Sequence, residues 1–176
     1  FFVDVPAEHW AYAYIQELYQ DGIVDGVGEQ RFQPEATVKR EEFAKMLVLT
    51  MGLTPNGSAA FYDAVGSWCE PYLAAAAERG LINGVSDGIF GVGEDISRQD
   101  LAVMIYRALP ETARSKTTGT AFADDGEIAD YAKEAVYALK ELGILVGYEN
   151  RFCPNDSATR AESAKILAGF KGVWEG

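Results

Sequence analysis

Histidine occurs once in the chain, at His9, and cysteine twice, at Cys69 and Cys153. A single histidine leaves no His-Glu-x-x-His zinc helix, and no catalytic constellation is expected. The two cysteines stand at unrelated positions and fit neither a metal cluster nor a disulfide scaffold, leaving one bridge or two buried free thiols as alternatives. His9, just before Trp10, reads as a helix-start residue. Long apolar runs are missing as well: none reaches 18 residues, so no membrane insertion is expected. The first residues, Phe1-Phe2-Val3-Asp4-Val5, show no leader and read as the opening of a repeat, as a mature or excised fragment would; this says nothing about secretion.

Positive charge is scarce. Fifteen Lys and Arg face 27 Asp and Glu, giving a net charge of -12, a field that repels nucleic acid and anionic lipid. A few arginines can still form a local positive site on such a surface. The acids do not organise a metal: Asp21, Asp25 and Glu29 have the wrong spacing for a calcium loop. Nor does any carboxylate pair stand out as acid and base, so no enzyme activity, metal or cofactor is expected.

What the chain does have is repetition. Trp10, Gly22, Phe32 and Arg40 recur with identical spacing as Trp68, Gly80, Phe90 and Arg98, and in the same order as Tyr131, Gly143, Phe152 and Arg160. Three copies follow, over 1–53, 60–110 and 120–176, the last two separated by a polar connector at 111–119. In each copy a first segment has apolar residues at helical spacing and stops at a glycine, and a second runs on from the arginine. The third copy's second helix carries Ala164, Leu167 and Ala168, with 169–176 left as a short tail. Such short helices need packing, for which Trp10, Trp68 and Tyr131 are natural buried anchors. The expected fold is all-α: three helix-loop-helix repeats sharing one core as a single pseudo-threefold domain, with grooves between repeats.

Around each arginine the tetrads read Lys39-Arg40-Glu41-Glu42, Ser97-Arg98-Gln99-Asp100 and Thr159-Arg160-Ala161-Glu162. Ser97 with Asp100, and Thr159 with Glu162, have the spacing of a capping box, with the acid reaching back to the cap amide. Capping does not account for the arginine, which at a helix N-terminus opposes the dipole at a cost of about a few tenths of a kcal/mol. Two compensations are open: a carboxylate from the adjacent copy, or an external anion held jointly with free helix amides. Gly26, Gly84 and Gly147 sit in turns that either need glycine sterically or expose amides to a ligand.

The lead-in Phe2-Val3-Asp4-Val5-Pro6, the tryptophan six residues after Asp4, Gly22-Ile23-Val24-Asp25-Gly26, Phe32-x-Pro34 and the Thr-Arg-Ala-Glu tetrad together resemble the S-layer homology domain, as three tandem motifs over nearly the whole chain. The resemblance implies non-covalent anchoring to the bacterial cell wall, outside the cell, through a secondary cell-wall polysaccharide carrying pyruvate ketals on N-acetylmannosamine. It places the pyruvate carboxylate on Arg40, Arg98 and Arg160. Asp4, Asp63, Asp124, Trp10, Trp68, Tyr131, Gly26, Gly84 and Gly147 fall at groove-lining positions, with Lys39, Ser97 and Thr159 beside the arginines. Lys39 departs from the hydroxyl cap, copy two lacks the proline and copy three has Tyr131 for tryptophan, so the grooves should differ in affinity. Other surface-layer proteins are the further partner implied. The alternatives are an interaction or assembly module with structural arginine salt bridges, or a peptidoglycan-binding module.

Overall fold

Each repeat is tied end to end by a pair of phenylalanines. Phe2, Phe61 and Phe122, in the lead-ins, pack on Phe32, Phe90 and Phe152 with ring centroids 5.4, 5.3 and 5.6 Å apart. The computed structural model of the chain describes residues 1–58, 61–114 and 121–176. Its helices are α1 (Tyr12–Gln20), α2 (Arg40–Thr50), α3 (Glu70–Glu78), α4 (Arg98–Ala108), α5 (Asp130–Glu141) and α6 (Arg160–Glu175). Among the described residues the only β-pairing is isolated bridges, so the fold is all-α, three helix-loop-helix repeats in pseudo-threefold order. The boundaries at 60 and 120, and the connector from 115 onward, lie outside the described residues; Glu111–Ala113 forms a 3₁₀ turn.

The first helices stop for a local reason. Gly22, Gly80 and Gly143 take φ of 70°, 68° and 71°, a left-handed conformation that side chains with a Cβ resist. The chain then drops a buried apolar pair into the core, Ile23-Val24, Leu81-Ile82 or Ile144-Leu145. A tight hairpin follows, closed by the bridges Gly28–Arg31, Ser86–Ile89 and Tyr148–Arg151.

The repeats close into a ring. Val38 N–H donates to Ala158 C=O at 3.1 Å, Ala158 N–H to Ile96 C=O at 2.9 Å, and Ile96 N–H to Val38 C=O at 2.9 Å. These three buried residues immediately precede the N-caps of α2, α6 and α4, so the second helices fan out from one axis. Each then packs on the first helix of the next repeat: α2 on α3, α4 on α5, α6 on α1. The last contact is reinforced by Lys171, whose ammonium lies 3.0 Å from Glu17, 3.1 Å from Asp21 and 3.4 Å from Glu175.

The expected aromatic anchors are not in the core. Trp10, Trp68 and Tyr131 are 53%, 55% and 62% exposed. They lie at or before the first turn of their helices, and the inward stripe is carried instead by Ile15 and Leu18, Leu73 and Ala76, Val136 and Leu139. Phe32, Phe90 and Phe152, all but sealed from solvent, are the true anchors, each worth about 2 to 3 kcal/mol by area. The short tail is also corrected: α6 continues through Gly169 and Gly172 to Glu175, burying Phe170. Gly169 packs against Ile144, where a Cβ would make ordinary van der Waals contact at 3.6 Å. Both cysteines are free, Cys69 buried and Cys153 partly exposed. No helix, among the described residues, is long and apolar enough to cross a membrane.

Candidate functional site

Arg40, Arg98 and Arg160 are the first residues of α2, α4 and α6. Each reaches across to the next repeat in the same cyclic order. Arg40 Nε donates to Phe90 C=O at 3.0 Å, Arg98 Nε to Phe152 C=O at 2.8 Å, and Arg160 Nε to Phe32 C=O at 2.8 Å. The guanidinium carbons lie over the rings of the same phenylalanines at 5.1, 5.4 and 4.4 Å. A repeated phenylalanine thus offers two things to a neighbouring arginine, a carbonyl and a π-face.

The turn carrying that carbonyl is fixed by the lead-in aspartate of its own repeat. Asp4 accepts from Phe32 and Gln33 N–H, both at 2.8 Å; Asp124 accepts from Phe152 at 2.8 Å and Cys153 at 2.7 Å. Asp63 takes three amides, Phe90 at 2.9 Å and Gly91 and Val92 at 2.8 Å. Burial pushes these carboxyl pKa values up, but the amides outweigh it and hold all three below the ordinary aspartate value. Both oxygens of each aspartate accept from backbone amides of the turn whose carbonyl meets the neighbouring arginine.

The arginine's electrostatic debt at the helix N-terminus is met by the acid of the next tetrad. Arg40 Nη1 pairs with Asp100 at 2.6 Å, and Arg98 Nη1 with Glu162. Arg160 makes no ion pair among the described residues; its Nη2 donates to Asp25 C=O at 2.7 Å, and burial lowers its pKa against the fields of Glu42, Asp25 and Asp4. Of the two compensations open from the sequence, the internal carboxylate therefore holds for two arginines.

Free helix amides do not hold at α4 and α6; at α2 the N–H groups of Glu41 and Glu42 donate to no described residue, while Arg40 N–H donates to Glu94 C=O and Phe43 N–H to Lys39 C=O. The N–H groups of Arg98, Gln99, Asp100 and Leu101 donate to Asp156 C=O, Pro154 C=O, Ser97 Oγ and Ser97 C=O, and the start of α6 is closed in the same way, through Ala36, Pro34, and Thr159 Oγ1 and C=O. The reciprocal cap is complete only at Thr159 and Glu162, where Glu162 accepts from Thr159 N–H at 2.9 Å. The shorter Asp100 does not reach back; its oxygens serve Arg40 and, at 2.7 Å, the Tyr131 hydroxyl. Lys39 has no acceptor to cap with, and pairs with Asp95 at 2.6 Å.

Two concavities flank the paired arginines, each built from all three repeats. One, about 520 Å³, places Arg98, Glu162 and Gly147 beside Trp10, with Thr159 and Lys165 on its wall. The other, about 450 Å³, places Arg40, Asp100 and Gly84 beside Tyr131, with Met104 and Arg107. In both, the guanidinium keeps Nη2 free of hydrogen bonds to described residues. Tyr131 is exposed over its ring, but its hydroxyl end is desolvated against Asp100, and the phenol is pushed up to about 12.

The turn glycines are sterically required: a Cβ would lie 2.6 Å from Phe2 at Gly26, 2.3 Å from Ile89 C=O at Gly84 and 2.5 Å from Arg151 C=O at Gly147. Trp68 stands near Lys45, whose ammonium is 6.0 Å from its ring. Lys165, Arg107 and Asn83 are groove residues that the sequence pattern did not single out. Gly84-Val85-Ser86-Asp87-Gly88 has the spelling of a nucleophile elbow, but it is a hairpin closed on Ile89, and no strand-to-helix turn lifts its serine. His9 Nδ1 accepts from Ala11 N–H at 3.1 Å, at the start of α1. No group of three or more His, Cys, Asp or Glu among the described residues could hold a metal ion.

This threefold arrangement coincides with a family match: the model of the S-layer homology domain fits residues 1–44, 60–102 and 121–164. The chain belongs to the S-layer homology domain family. It is 33% identical over 170 residues to the S-layer protein sap of Bacillus anthracis, covering 95% of this chain and 21% of that protein. It is 29% identical to an endoglucanase of Bacillus sp. (strain KSM-635), over 95% of this chain and 18% of that one, and 31% identical to an amylopullulanase of Thermoanaerobacterium thermosulfurigenes, over 93% and 9%. The chain thus spans about a fifth or less of the length of these relatives. S-layer homology domains generally bind secondary cell-wall polysaccharide, and the family is extracellular and associated with the cell wall.

Proposed function

We propose that this S-layer homology domain anchors its protein to the wall by holding pyruvate ketals of a secondary cell-wall polysaccharide in the clefts between repeats. The observation that carries this reading is that two inter-repeat clefts each offer a guanidinium with an uncommitted Nη2 beside an exposed aromatic from a third repeat. A planar carboxylate suits that donor, and a sugar face or ketal methyl suits Trp10 or Tyr131. Arg98 and Arg40 contact the anion directly, and Arg160 serves a third, more closed position. Gly84 and Gly147 keep the cleft floors low, as Gly26 does in the third. Asp4, Asp63 and Asp124 set the turn that meets the neighbouring arginine, while Lys39, Ser97 and Thr159 fix the start of each arginine helix. The first amides of the Arg98 and Arg160 helices are already taken and play no part. Several such clefts on one rigid body, meeting many ketals on one wall, raise apparent affinity through effective concentration.

A second reading is favoured by the Arg40–Asp100 and Arg98–Glu162 pairs: the arginines are structural only, and the outer surface meets other surface-layer proteins. Calorimetry with a pyruvylated N-acetylmannosamine glycoside, beside the same sugar without the ketal, separates the two. Binding that requires the ketal is expected; equal binding, or none, overturns the anchoring reading. Retention on purified walls that survives removal of the polysaccharide would favour a protein or peptidoglycan partner.

A further inference from the structure

The two clefts are not copies of each other, and the difference lies in a second cation. In the Arg98 cleft it is Lys165, three residues along α6 from Glu162, the acid that holds the arginine. The equivalent position in α4 is Val103, and the Arg40 cleft instead carries Arg107, seven residues along from Asp100. Three and seven residues lie on the same helical face, separated by one turn, or about 6 Å of rise.

Neither cation has an ion-pair partner among the described residues. Lys165 is half-buried on the cleft wall and makes no ion pair or hydrogen bond to a described residue. Arg107, in the last turn of α4, is half-buried too; it feels the field of Asp100 but makes no ion pair with a described residue, and Asn83, oriented so that both ends of its amide are satisfied, accepts from its Nη2 at 3.0 Å and holds it across the cleft. In the first repeat the position equivalent to Lys165 is Lys45, and there the ammonium is committed, 3.8 Å from Asp25 and near the rings of Trp68 and Tyr72. On a chain with 27 acids against 15 bases, two cations inside concavities with no ion-pair partner among the described residues mark places kept for an outside negative group.

We propose that Lys165 and Arg107 are the specificity-determining cations of their clefts, each reading a second electronegative group of an anionic saccharide, one helical turn nearer the arginine in the Arg98 cleft than in the Arg40 cleft. The inference rests on the anchoring reading above and adds to it that the two clefts select saccharides differently. The Arg98 cleft is matched to a compact unit, in which one ketal-bearing sugar spans both cations. The Arg40 cleft is matched to a longer one, in which Arg107 meets the next sugar along the chain.

The test is a titration of the chain with the pyruvylated N-acetylmannosamine monosaccharide and with a disaccharide that contains it, followed by nuclear magnetic resonance. The Trp10 indole N–H reports the Arg98 cleft, and a labelled Tyr131 ring reports the Arg40 cleft. Lys165→Ala is expected to weaken binding read at Trp10 by about tenfold and to act much less at Tyr131, with Lys165→Arg restoring it and Lys165→Gln not. Arg107→Ala is expected to do the reverse, chiefly for the disaccharide. If wild type binds but both variants leave both readings unchanged, or shift them equally, the inference is overturned while the anchoring reading stands. If the sugars move neither reporter in wild type, the anchoring reading falls and this inference with it.

Discussion

Replacing Asp63 by asparagine removes a charge that three backbone amides share, those of Phe90, Gly91 and Val92. A hydrogen bond to a charged group is worth about 1.5 to 3 kcal/mol net, and one to a neutral group about half as much. The asparagine oxygen can keep Gly91 and Val92, but its NH₂ then faces Phe90 N–H, an orphaned donor. One charge-assisted bond lost and two weakened give about 3 kcal/mol, or a fall in Tm of about 6 to 12 °C for a chain of this length. The sign with pH is fixed by the lowered pKa: the stabilisation is present above the unfolded aspartate value and is lost as pH falls through the folded one. Thermal unfolding followed by circular dichroism should therefore show the full penalty at pH 7 and a much smaller one in acid, below the folded pKa. Because Phe90 C=O holds Arg40, affinity in the Arg40 cleft should fall as well. A Tm change under about 2 °C at pH 7, or a penalty that does not shrink in acid, would refute the reasoning.

Gly147→Ala, with φ of 73° and a Cβ 2.5 Å from Arg151 C=O, is expected to cost about 3 kcal/mol or more by denaturant unfolding, against about 1 kcal/mol for Gly22→Ala, where nothing lies within 4 Å. Lys171→Met should cost only about 1 kcal/mol or less in denaturant melts at low salt and nothing measurable in 1 M salt, because its three carboxylate partners are 42–57% exposed. Asp4→Asn, which loses one of two amides where Asp63 has three, should lower Tm by less than Asp63→Asn in the same assay.

The parts of this structure that depend on one residue's own conformational or capping chemistry were legible in the sequence. The glycine stops at Gly22, Gly80 and Gly143, the helix starts at Arg40, Arg98 and Arg160, and the threefold ring all follow from repeated residue types at repeated spacing. What was not legible depends on partners brought from another repeat. Nothing in Phe32, Phe90 or Phe152 announces that its carbonyl and ring will hold a neighbour's arginine, since the acceptor is backbone. Trp10, Trp68 and Tyr131 read as core because a repeated large aromatic in a helical pattern fills a core in most folds; here the phenylalanine pairs already fill it, and the three rings are left exposed, Trp10 and Tyr131 on the two clefts. The segment from Gly169 reads as a short tail, yet burial of Phe170 carries α6 through Gly169 and Gly172 to Glu175. Lys165 and Arg107 become noticeable only once α4 and α6 are superimposed on one threefold frame, where each stands at a position the other lacks.

The most direct test of the account is a crystal structure of the chain with the pyruvylated N-acetylmannosamine glycoside bound. The account predicts the ketal carboxylate in the Arg98 cleft, within about 3 Å of Arg98 Nη2, with the Arg98–Glu162 pair intact and the sugar against Trp10. A sugar bound away from both arginine clefts, or clefts that stay empty at saturating ligand, would contradict it.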